Sequence, residues 1–126
     1  DINQNSAVVP INGGSQKLFV NRYQFLSTND DLTPKSFKLY QNSPNPFNPI
    51  TNISYELSNP SRVTITIYDF KGREIKTIVN EWKQPGYYSA VWNSTDDRNN
   101  PVSSGIYFYR MKTNTFHKTL KMLLLK

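Results

Sequence analysis

The chain has 126 residues, no cysteine and a formal net charge of +6 at pH 7, which suits one domain with a tail and excludes a disulfide framework or a thiolate metal site. Hydrophobic residues make up 37% of it, and no stretch approaches the ~20 apolar residues that a membrane-spanning helix needs. The chain begins at Asp1 without a visible signal peptide, so we expect a fragment or processed piece of a larger protein.

The positive charge is unevenly distributed along the chain. Residues 1–34 carry a net charge of −1, whereas residues 35–126 hold thirteen Lys or Arg against six Asp or Glu, a net of +7. A basic balance raises the question of nucleic-acid binding. The cations are scattered singly, however, and no basic run or recognition helix is apparent. Solvated strand faces explain them better, and nucleic acid is not expected as a partner.

Residues 1–36 differ in composition from the rest of the chain. DINQNSAVVPINGGSQ is polar and contains glycine, and STNDDLTPKS, residues 27–36, is typical of a linker. Between them KLFVNRYQFL, residues 17–26, is apolar on both faces, as a strand buried between two layers is. We interpret residues 1–36 as an N-terminal extension and linker, in which a strand over 17–26 belongs either to the following domain or to an upstream one.

A proline-rich block, NSPNPFNP, begins at Asn42. Each proline fixes its own φ and lacks an amide proton, and each residue before a proline is driven toward extended geometry. Six of the seven residues from Ser43 to Pro49 are proline or pre-proline, and only Phe47 is unrestricted. We expect a stiff, extended, helix-free connector that presents the Phe47 ring as a plug at one end of a sandwich, as part of a recognition surface, or as both.

Strand patterns follow the block and continue to the end of the chain. Segments 51–57 and 62–69 alternate apolar and polar residues and are rich in β-branched and aromatic side chains, as half-buried strands are. Shorter or mixed patterns predict further strands over 37–41, 74–80, 86–92, 105–113 and 116–126. About seven short strands with turn residues between them predict an all-β domain over 37–126, an antiparallel sandwich with Greek-key connections.

The alternation also predicts the core. The side chains expected inside are Leu39, Phe47, Ile53, Tyr55, Leu57, Val63, Ile65, Ile67, Ile75, Ile78, Val79, Tyr88, Trp92, Ile106, Phe108, Met122 and Leu124. In the terminal KMLLLK this leaves Lys121 and Lys126 in solvent. If Leu123 and Leu125 are exposed, they form an apolar patch on an edge strand to which a partner adds a strand.

Residues suited to catalysis or metal binding are few. His117 is the only histidine and is expected at an exposed strand position. Residues 96–100, with their Asp and Asn side chains, offer oxygen ligands for calcium, but their spacing fits no EF-hand loop and such turns form for backbone reasons. Asp69 precedes a turn, where pairing with Lys71 or Arg73 explains it better than acid–base catalysis. The sequence predicts a non-catalytic domain without metal or cofactor.

The succession of segments resembles a known family. FKLYQNSPNPFNPITNISYEL, VTITIYDFKGREIKTIVN, GYYSAVWN, SSGIYFYRMKT and KMLLLK resemble, in order and spacing, the C-terminal sorting domain of type IX secretion cargo. They are also similar to the immunoglobulin-like domain of flagellar hook-capping proteins. The resemblance covers about residues 37–126 and implies an immunoglobulin-like sandwich. Its motif residues fall on Pro44, Asn45, Pro46, Phe47, Asn48 and Pro49, on Gly72 and Arg73, and on Gly105, Tyr107 and Lys121 to Lys126.

The resemblance implies a function without chemistry of its own. Such domains occur in Bacteroidetes-like bacteria, where they follow an exported cargo into the periplasm and are recognised by an outer-membrane translocon. In many cases a sortase-like protease then removes the domain and the cargo is attached to the cell surface. The implied partners of this chain are that translocon, a sortase-like protease and an upstream cargo domain. The implied location is the periplasm in transit, then the medium or the cell surface.

Two other functions stay open at the level of sequence. A β-sandwich with outward aromatic side chains is a candidate carbohydrate-binding module, and we expect Tyr68, Tyr87, Tyr107 and Tyr109 to be the outward tyrosines. A structural spacer in a secreted enzyme, comparable to the hook-capping domain, needs no binding surface. Fold alone does not choose among the three.

Overall fold

The computed structural model describes residues 32–126, and the strand expected over 17–26 lies outside this part of the chain. Thr33–Lys126 form one compact unit. Its strands are β1 (Lys38–Leu39), β2 (Thr51–Leu57), β3 (Ser61–Asp69), β4 (Glu74–Lys83), β5 (Gly86–Trp92), β6 (Gly105–Lys112) and β7 (His117–Leu124). In the described part of the chain, no helix has the length and apolar character to cross a membrane.

The described strands form two antiparallel sheets. One has three strands in the order β1-β2-β5, and the other has four in the order β4-β3-β6-β7. Hairpins join β3 to β4 and β6 to β7 within the larger sheet, whereas the connections after β2, β4 and β5 pass from one sheet to the other. The predicted all-β antiparallel sandwich is therefore confirmed.

Side-chain alternation explains why these segments are strands. Along β2 and β3, fully buried positions alternate with more exposed ones over the whole length of each strand. This is the two-residue period of a pleated strand that has one face on the core. The β3–β4 turn contains Gly72 at a φ of 86°, a conformation that glycine adopts without the steric penalty of a Cβ.

The core lies between the two sheets and agrees with most of the prediction. Its buried apolar side chains are Leu39, Phe47, Ile53, Tyr55, Leu57, Val63, Ile65, Ile67, Val79, Trp92, Tyr107, Tyr109, Met111, Met122 and Leu124. Ile75, Ile78 and Tyr88 pack against this core while remaining half-buried. The sequence therefore predicts the inward side chains correctly in all three strands of the smaller sheet, and in β3 and β7 of the larger sheet.

The face of β6 was predicted wrongly. Ile106 and Phe108 were expected in the core, but Ile106 is 42% exposed and Phe108 is half-buried. The inward side chains of this strand are Tyr107, Tyr109 and Met111. Because side chains alternate with a period of two, choosing the neighbouring phase turns every residue of a strand to the opposite face.

Hydrogen bonds of the two phenols explain the orientation of β6. Tyr107 donates to the carbonyl oxygen of Ser103 at 2.7 Å, and Tyr109 donates to that of Tyr40 at 2.7 Å. A buried polar group is tolerated when it is bonded, and burial raises the pKa of Tyr109 to about 12, so its phenol stays a donor. The opposite phase contains Arg110, whose charge favours solvent. Tyr107 and Tyr109 are consequently not outward tyrosines.

Candidate functional site

Most of the motif residues lie at one end of the sandwich. β2 and β6 begin there and β3, β5 and β7 finish there, since Thr51 pairs with Trp92 and Gly105 pairs with Leu124. We call it the proline end, defined as Pro44–Pro49, the turn Phe70–Arg73, the loop Asn93–Ser104, and Leu125–Lys126. It contains or adjoins every motif residue except Lys121, Met122 and Leu123, which lie inside β7.

The proline block bends instead of running straight, so the expected extended connector is wrong. The cis peptide bonds are Ser43–Pro44, Asn45–Pro46 and Asn48–Pro49. Ser43 pairs with Asn52 of the smaller sheet, whereas Phe47, four residues later, pairs with Leu124 of the larger one. The backbone bends at Pro44–Pro46 and again at Asn48–Pro49. The helix-free part of the prediction agrees with the structure.

The Phe47 ring is a core side chain, as predicted. It is 2% exposed, and its centroid lies 5.8 Å from that of Trp92. Trp92 in turn meets Tyr107 edge-on at 5.2 Å, and its indole N–H donates to the carbonyl oxygen of Thr95 at 2.9 Å. The three rings link the proline block, β5 and β6 beneath the proline end.

The proline block and the residue before it cover the edge of β7. Four hydrogen bonds, which we call the edge clasp, join the two segments. Phe47 N–H donates to Leu123 O, and Leu125 N–H donates to Phe47 O, both at 3.0 Å. Leu123 N–H donates to Asn45 Oδ1 at 3.0 Å, and Gln41 Nε2 donates to Lys121 O at 2.6 Å. Among the described strands β7 is at the edge of its sheet, where unpaired backbone groups attract other chains. The clasp occupies these groups over Lys121–Leu125. Of the two alternatives left open by the sequence, an edge open to strand addition does not hold over these residues.

The side chains of this segment are only partly exposed. Leu123 is half-buried, and Leu125 is 51% exposed. Met122 and Leu124 are buried as predicted, and Lys121 and Lys126 are in solvent. Ile106, which lies opposite Leu123 in the β6–β7 register and is 42% exposed, adds to the apolar surface there. The backbone groups of Lys121–Leu125 are nevertheless bonded by the clasp, so this part of the edge is not open to strand addition.

Sequence reasoning missed a buried polar pair that holds the first bend of the block. Asn42 Nδ2 donates to Pro44 O at 3.1 Å and to Thr51 Oγ1 at 2.9 Å, and the Thr51 hydroxyl donates to Pro44 O at 2.9 Å. Asn42 is 3% exposed and Thr51 is fully buried. Buried polar groups stabilise when they are bonded to each other. The available signal was Thr51, a polar residue in the inward phase of β2.

Asp69 organises the turn that contains Gly72 and Arg73. Its Oδ1 accepts the backbone N–H groups of Lys71 and Arg73, both at 2.9 Å, and its Oδ2 accepts Arg73 Nε at 2.8 Å. The backbone bond from Arg73, followed by its side-chain bond and that from Lys71, lowers the pKa of Asp69. The predicted pairing with Arg73 is confirmed. The Gly72 N–H closes the turn on Asp69 O at 2.9 Å.

A cleft of about 320 Å³ separates this turn from the start of β6, and its lining includes Phe70, Arg73, Val102, Gly105, Ile106 and Tyr107. The Phe70 side chain is 69% exposed. At the same end, the Lys126 N–H donates to Ser104 Oγ at 2.9 Å. Lys121 lies elsewhere, in a hollow of about 180 Å³ that it shares with Asn45, Ile106 and two residues of β7.

The Asp- and Asn-rich loop is explained by its backbone. Asp96 Oδ1 accepts the N–H groups of Arg98 and Asn100, both at 2.9 Å, and Asn99 takes a φ of 65°, which asparagine tolerates in turns. The bond from Asn100, then that from Arg98, lowers the pKa of Asp96. Within residues 32–126, no group of three or more His, Cys, Asp or Glu is arranged to hold a metal ion. His117 is exposed, as expected.

Comparisons with solved structures place the sandwich among known domains. Dimeric latent PorU from Porphyromonas gingivalis superposes with a TM-score of 0.57 at 20% identity, over 68% of this chain and 9% of that chain. FlgD from P. aeruginosa has a TM-score of 0.48 at 25% identity, over 59% of this chain and 58% of that chain. PorZ is described as an essential bacterial surface component of the type-IX secretion system of P. gingivalis. It has a TM-score of 0.46 at 18% identity, over 71% of this chain and 11% of that chain.

The likeness to PorU concerns the fold, because this chain spans about a tenth of that protein's length. Among curated proteins, none matches this sequence. The FlgD Ig-like domain family matches residues 48–116, which is more than half of the chain and runs from the end of the proline block to the turn before β7. The chain therefore belongs to the FlgD Ig-like domain family.

Proposed function

We propose that this domain is a non-catalytic C-terminal sorting domain, which directs an upstream cargo on the same chain through the outer-membrane type IX translocon. The observation that carries the proposal is the edge clasp. It joins the two segments on which the sequence resemblance depends most, the proline block and KMLLLK, although Asn45 and Leu123 are 78 positions apart. Gly72, Arg73, Gly105 and Tyr107 adjoin the same end. Motifs that are distant in sequence thus meet at one end of the domain.

The outer side of the proline block suits recognition by a partner. Pro44, Asn45, Pro46, Asn48 and Pro49 are all exposed, while the inner side of the block is held by the buried Phe47 ring and by hydrogen bonds from Asn42 and Thr51 to Pro44 O. A surface fixed in this way loses little conformational entropy when a partner binds it. In our proposal the translocon binds the block as a preformed shape.

The adjacent cleft supplies an anchor point for that partner. Phe70 and Ile106 expose apolar side chains beside Arg73, whose side chain is 74% exposed although its Nε is engaged by Asp69. An apolar hollow with a guanidinium at its rim fits an aromatic or aliphatic side chain followed by an acceptor group, which are common features of binding hot spots. In this proposal the partner recognises the folded domain with its edge clasp formed. A sortase-like protease then removes the domain after secretion to the medium or cell surface.

A reporter fusion tests the proposal. Residues 27–126 are placed behind a periplasmic reporter in a bacterium that has a type IX system, and the reporter is measured in the medium, on the cell surface and in the periplasm. We expect secretion with the intact domain. If the reporter stays in the periplasm although the domain is folded, the sorting proposal fails, and a structural spacer becomes the better account.

Two pairs of lysine variants, all at exposed positions, test which surface the translocon recognises. Lys121→Ala with Lys126→Ala removes two exposed charges from the KMLLLK motif and should trap part of the reporter in the periplasm. Lys112→Ala with Lys118→Ala removes the same charge from the opposite end of β6 and β7 and should leave secretion intact. Exposed charges rarely contribute more than about 1 kcal/mol to stability, so both pairs should fold. Equal secretion of the two pairs would argue against the lysines as part of the signal.

A further inference from the structure

The outer face of the three-stranded sheet contains a shallow groove between two tyrosines. Tyr40 follows β1, and Tyr87 lies at the start of β5, so the two rings flank β2 from opposite sides. Tyr40 is 41% exposed and Tyr87 is 62% exposed. We call the space between them the tyrosine groove, and its volume is about 390 Å³.

Neighbouring residues fix the shape of the tyrosine groove. The Tyr40 hydroxyl donates to Glu56 Oε2, and Glu56 lies directly opposite Tyr87 in the β2–β5 register. Ser54 and Ser89, a second opposed pair, also line the groove. One ring is thereby tethered across the groove while the other is free to receive a ligand.

Ring stacking and a hydrogen bond hold the layer beneath the groove. Tyr55 and Tyr88, another opposed pair, stack with their centroids 5.5 Å apart. The Tyr88 hydroxyl donates to Gln84 O at 2.6 Å, which holds that ring against the start of β5. A preformed groove loses little entropy when it is filled.

The chemistry of the groove favours a neutral ligand with hydroxyl groups. Its described lining contains tyrosine rings, serine hydroxyls and one carboxylate, and no Lys or Arg, although residues 35–126 carry a net charge of +7. Two cations lie beside the groove, Lys38 opposite Glu56 in the β1–β2 register and Lys83 over the Tyr88 ring, so the experiment includes an anionic polymer as a competing ligand. Strand addition by a peptide is excluded at this place because β2 is paired on both sides, with β1 and with β5.

We propose that the tyrosine groove binds a neutral oligosaccharide. The apolar C–H face of a pyranose ring stacks on Tyr87, an aromatic side chain that combines an apolar body with a polar tip. Glu56, Ser54 and Ser89 accept or donate hydrogen bonds to the sugar hydroxyls. Of the tyrosines predicted to face outward, Tyr87 belongs to this site. Tyr40 was not predicted, because it lies just beyond a two-residue strand. This inference is independent of the sorting proposal.

Affinity electrophoresis of the purified domain tests the inference. Native gels are cast with a soluble β-glucan, a xyloglucan or a galactomannan, and parallel gels contain polygalacturonate as an anionic polymer. We expect at least one neutral polysaccharide to retard the domain, and Tyr87→Ala to weaken that retardation about tenfold or more, as the loss of a central aromatic contact does. The Tyr68→Ala variant, changed at a half-buried tyrosine of the other sheet, should be retarded like the unchanged domain.

Three results would overturn the inference: no retardation by any neutral polymer, retardation by polygalacturonate alone, or equal retardation of the Tyr87→Ala variant and the unchanged domain. Thermal melting of each variant establishes that it is folded. Tyr87→Ala should stay folded, because a ring that is 62% exposed contributes little to the core. Secretion of the reporter does not enter this test, so its failure and the failure of the sorting proposal are distinguishable.

Discussion

At the scale of single residues, Phe47 connects the proline block to both sheets. Its ring packs on Trp92 of β5, while its backbone N–H and carbonyl oxygen both bond to the end of β7. Proline and pre-proline residues surround it, so the block has few other conformations in which the ring could leave the core. Phe47 is therefore the residue whose loss should loosen the proline end most.

We expect Phe47→Ala to lower the free energy of unfolding by about 3–5 kcal/mol, the usual cost of removing a buried aromatic side chain. This is a large share of the roughly 5–15 kcal/mol that stabilises a typical domain. Chemical denaturation of the purified variant measures it. Phe70→Ala is the matched control, because the Phe70 side chain is 69% exposed and its loss should cost about 0.5 kcal/mol or less. A loss below about 1 kcal/mol for Phe47→Ala would show that the ring does not stabilise the core.

At the scale of elements, the β3–β4 turn links stability to pH. The lowered pKa of Asp69 means that the folded state holds its carboxylate more strongly than the unfolded chain does. Such a group stabilises the fold above its unfolded pKa, and the contribution disappears as pH falls through the lower, folded pKa. The turn should therefore weaken in acid, below about pH 4, and not at neutral or alkaline pH.

The Asp69→Asn variant tests this linkage. The amide keeps the shape and one acceptor oxygen, but it loses the charge and the acceptor that Arg73 Nε uses. We expect a lower melting temperature at pH 7 and a smaller fall between pH 7 and pH 2 than in the unchanged domain. Asp97→Asn, changed at an exposed position of another loop, should keep the full acid dependence. If the melting temperature of Asp69→Asn falls between pH 7 and pH 2 by as much as that of the unchanged domain, the assignment of this acid dependence to Asp69 is contradicted.

Strand positions could be predicted from the sequence because their signals are local. In β2 and β3 the inward phase is apolar except at the strand ends, and the outward phase is polar apart from Tyr68, so both the strand and its face follow from alternation. In β6 both phases contain apolar or aromatic residues. The choice of face there depends on Tyr109, whose hydroxyl bonds to a carbonyl 69 positions away. Alternation alone does not contain that information.

The candidate site was predictable only as a set of motifs. Sequence spacing indicated that Pro44–Pro49 is stiff and that Phe47 is free to face the core, both from properties of proline. It did not indicate that the block bends, nor that Ser43 pairs with Asn52 of one sheet and Phe47 with Leu124 of the other. The edge clasp likewise depends on contacts between the two ends of the domain, which no local pattern encodes.

At the scale of the whole molecule, the clasp makes the end of β7 part of the fold. Met122 and Leu124 are 1% and 0% exposed, and three of the four clasp bonds involve residues after Lys121. The Lys126 N–H adds a bond to Ser104 Oγ. The same few residues are thus both a structural support of the proline end and the proposed signal. An experiment has to separate these roles.

Two truncations separate them. A chain that stops after Lys121 loses both buried side chains, and since each large apolar deletion costs about 2–5 kcal/mol, we expect it to be unfolded. A chain that stops after Leu124 keeps both side chains and loses the N–H groups of Leu125 and Lys126, two hydrogen bonds worth about 0.5–1.5 kcal/mol each. It should unfold cooperatively at a slightly lower denaturant concentration. Circular dichroism and chemical denaturation of the three chains measure this.

The truncation after Leu124 then carries the functional question, because a variant that does not fold says nothing about recognition. If it is folded yet leaves the reporter in the periplasm, the partner contacts Leu125 and Lys126 directly. If it is secreted like the unchanged domain, the recognised surface is the proline block and cleft that the clasp holds in place. A cooperative, near-normal transition for the chain that stops after Lys121 would contradict the structural role of the clasp, since two fully buried side chains and three hydrogen bonds would then contribute almost nothing to the fold.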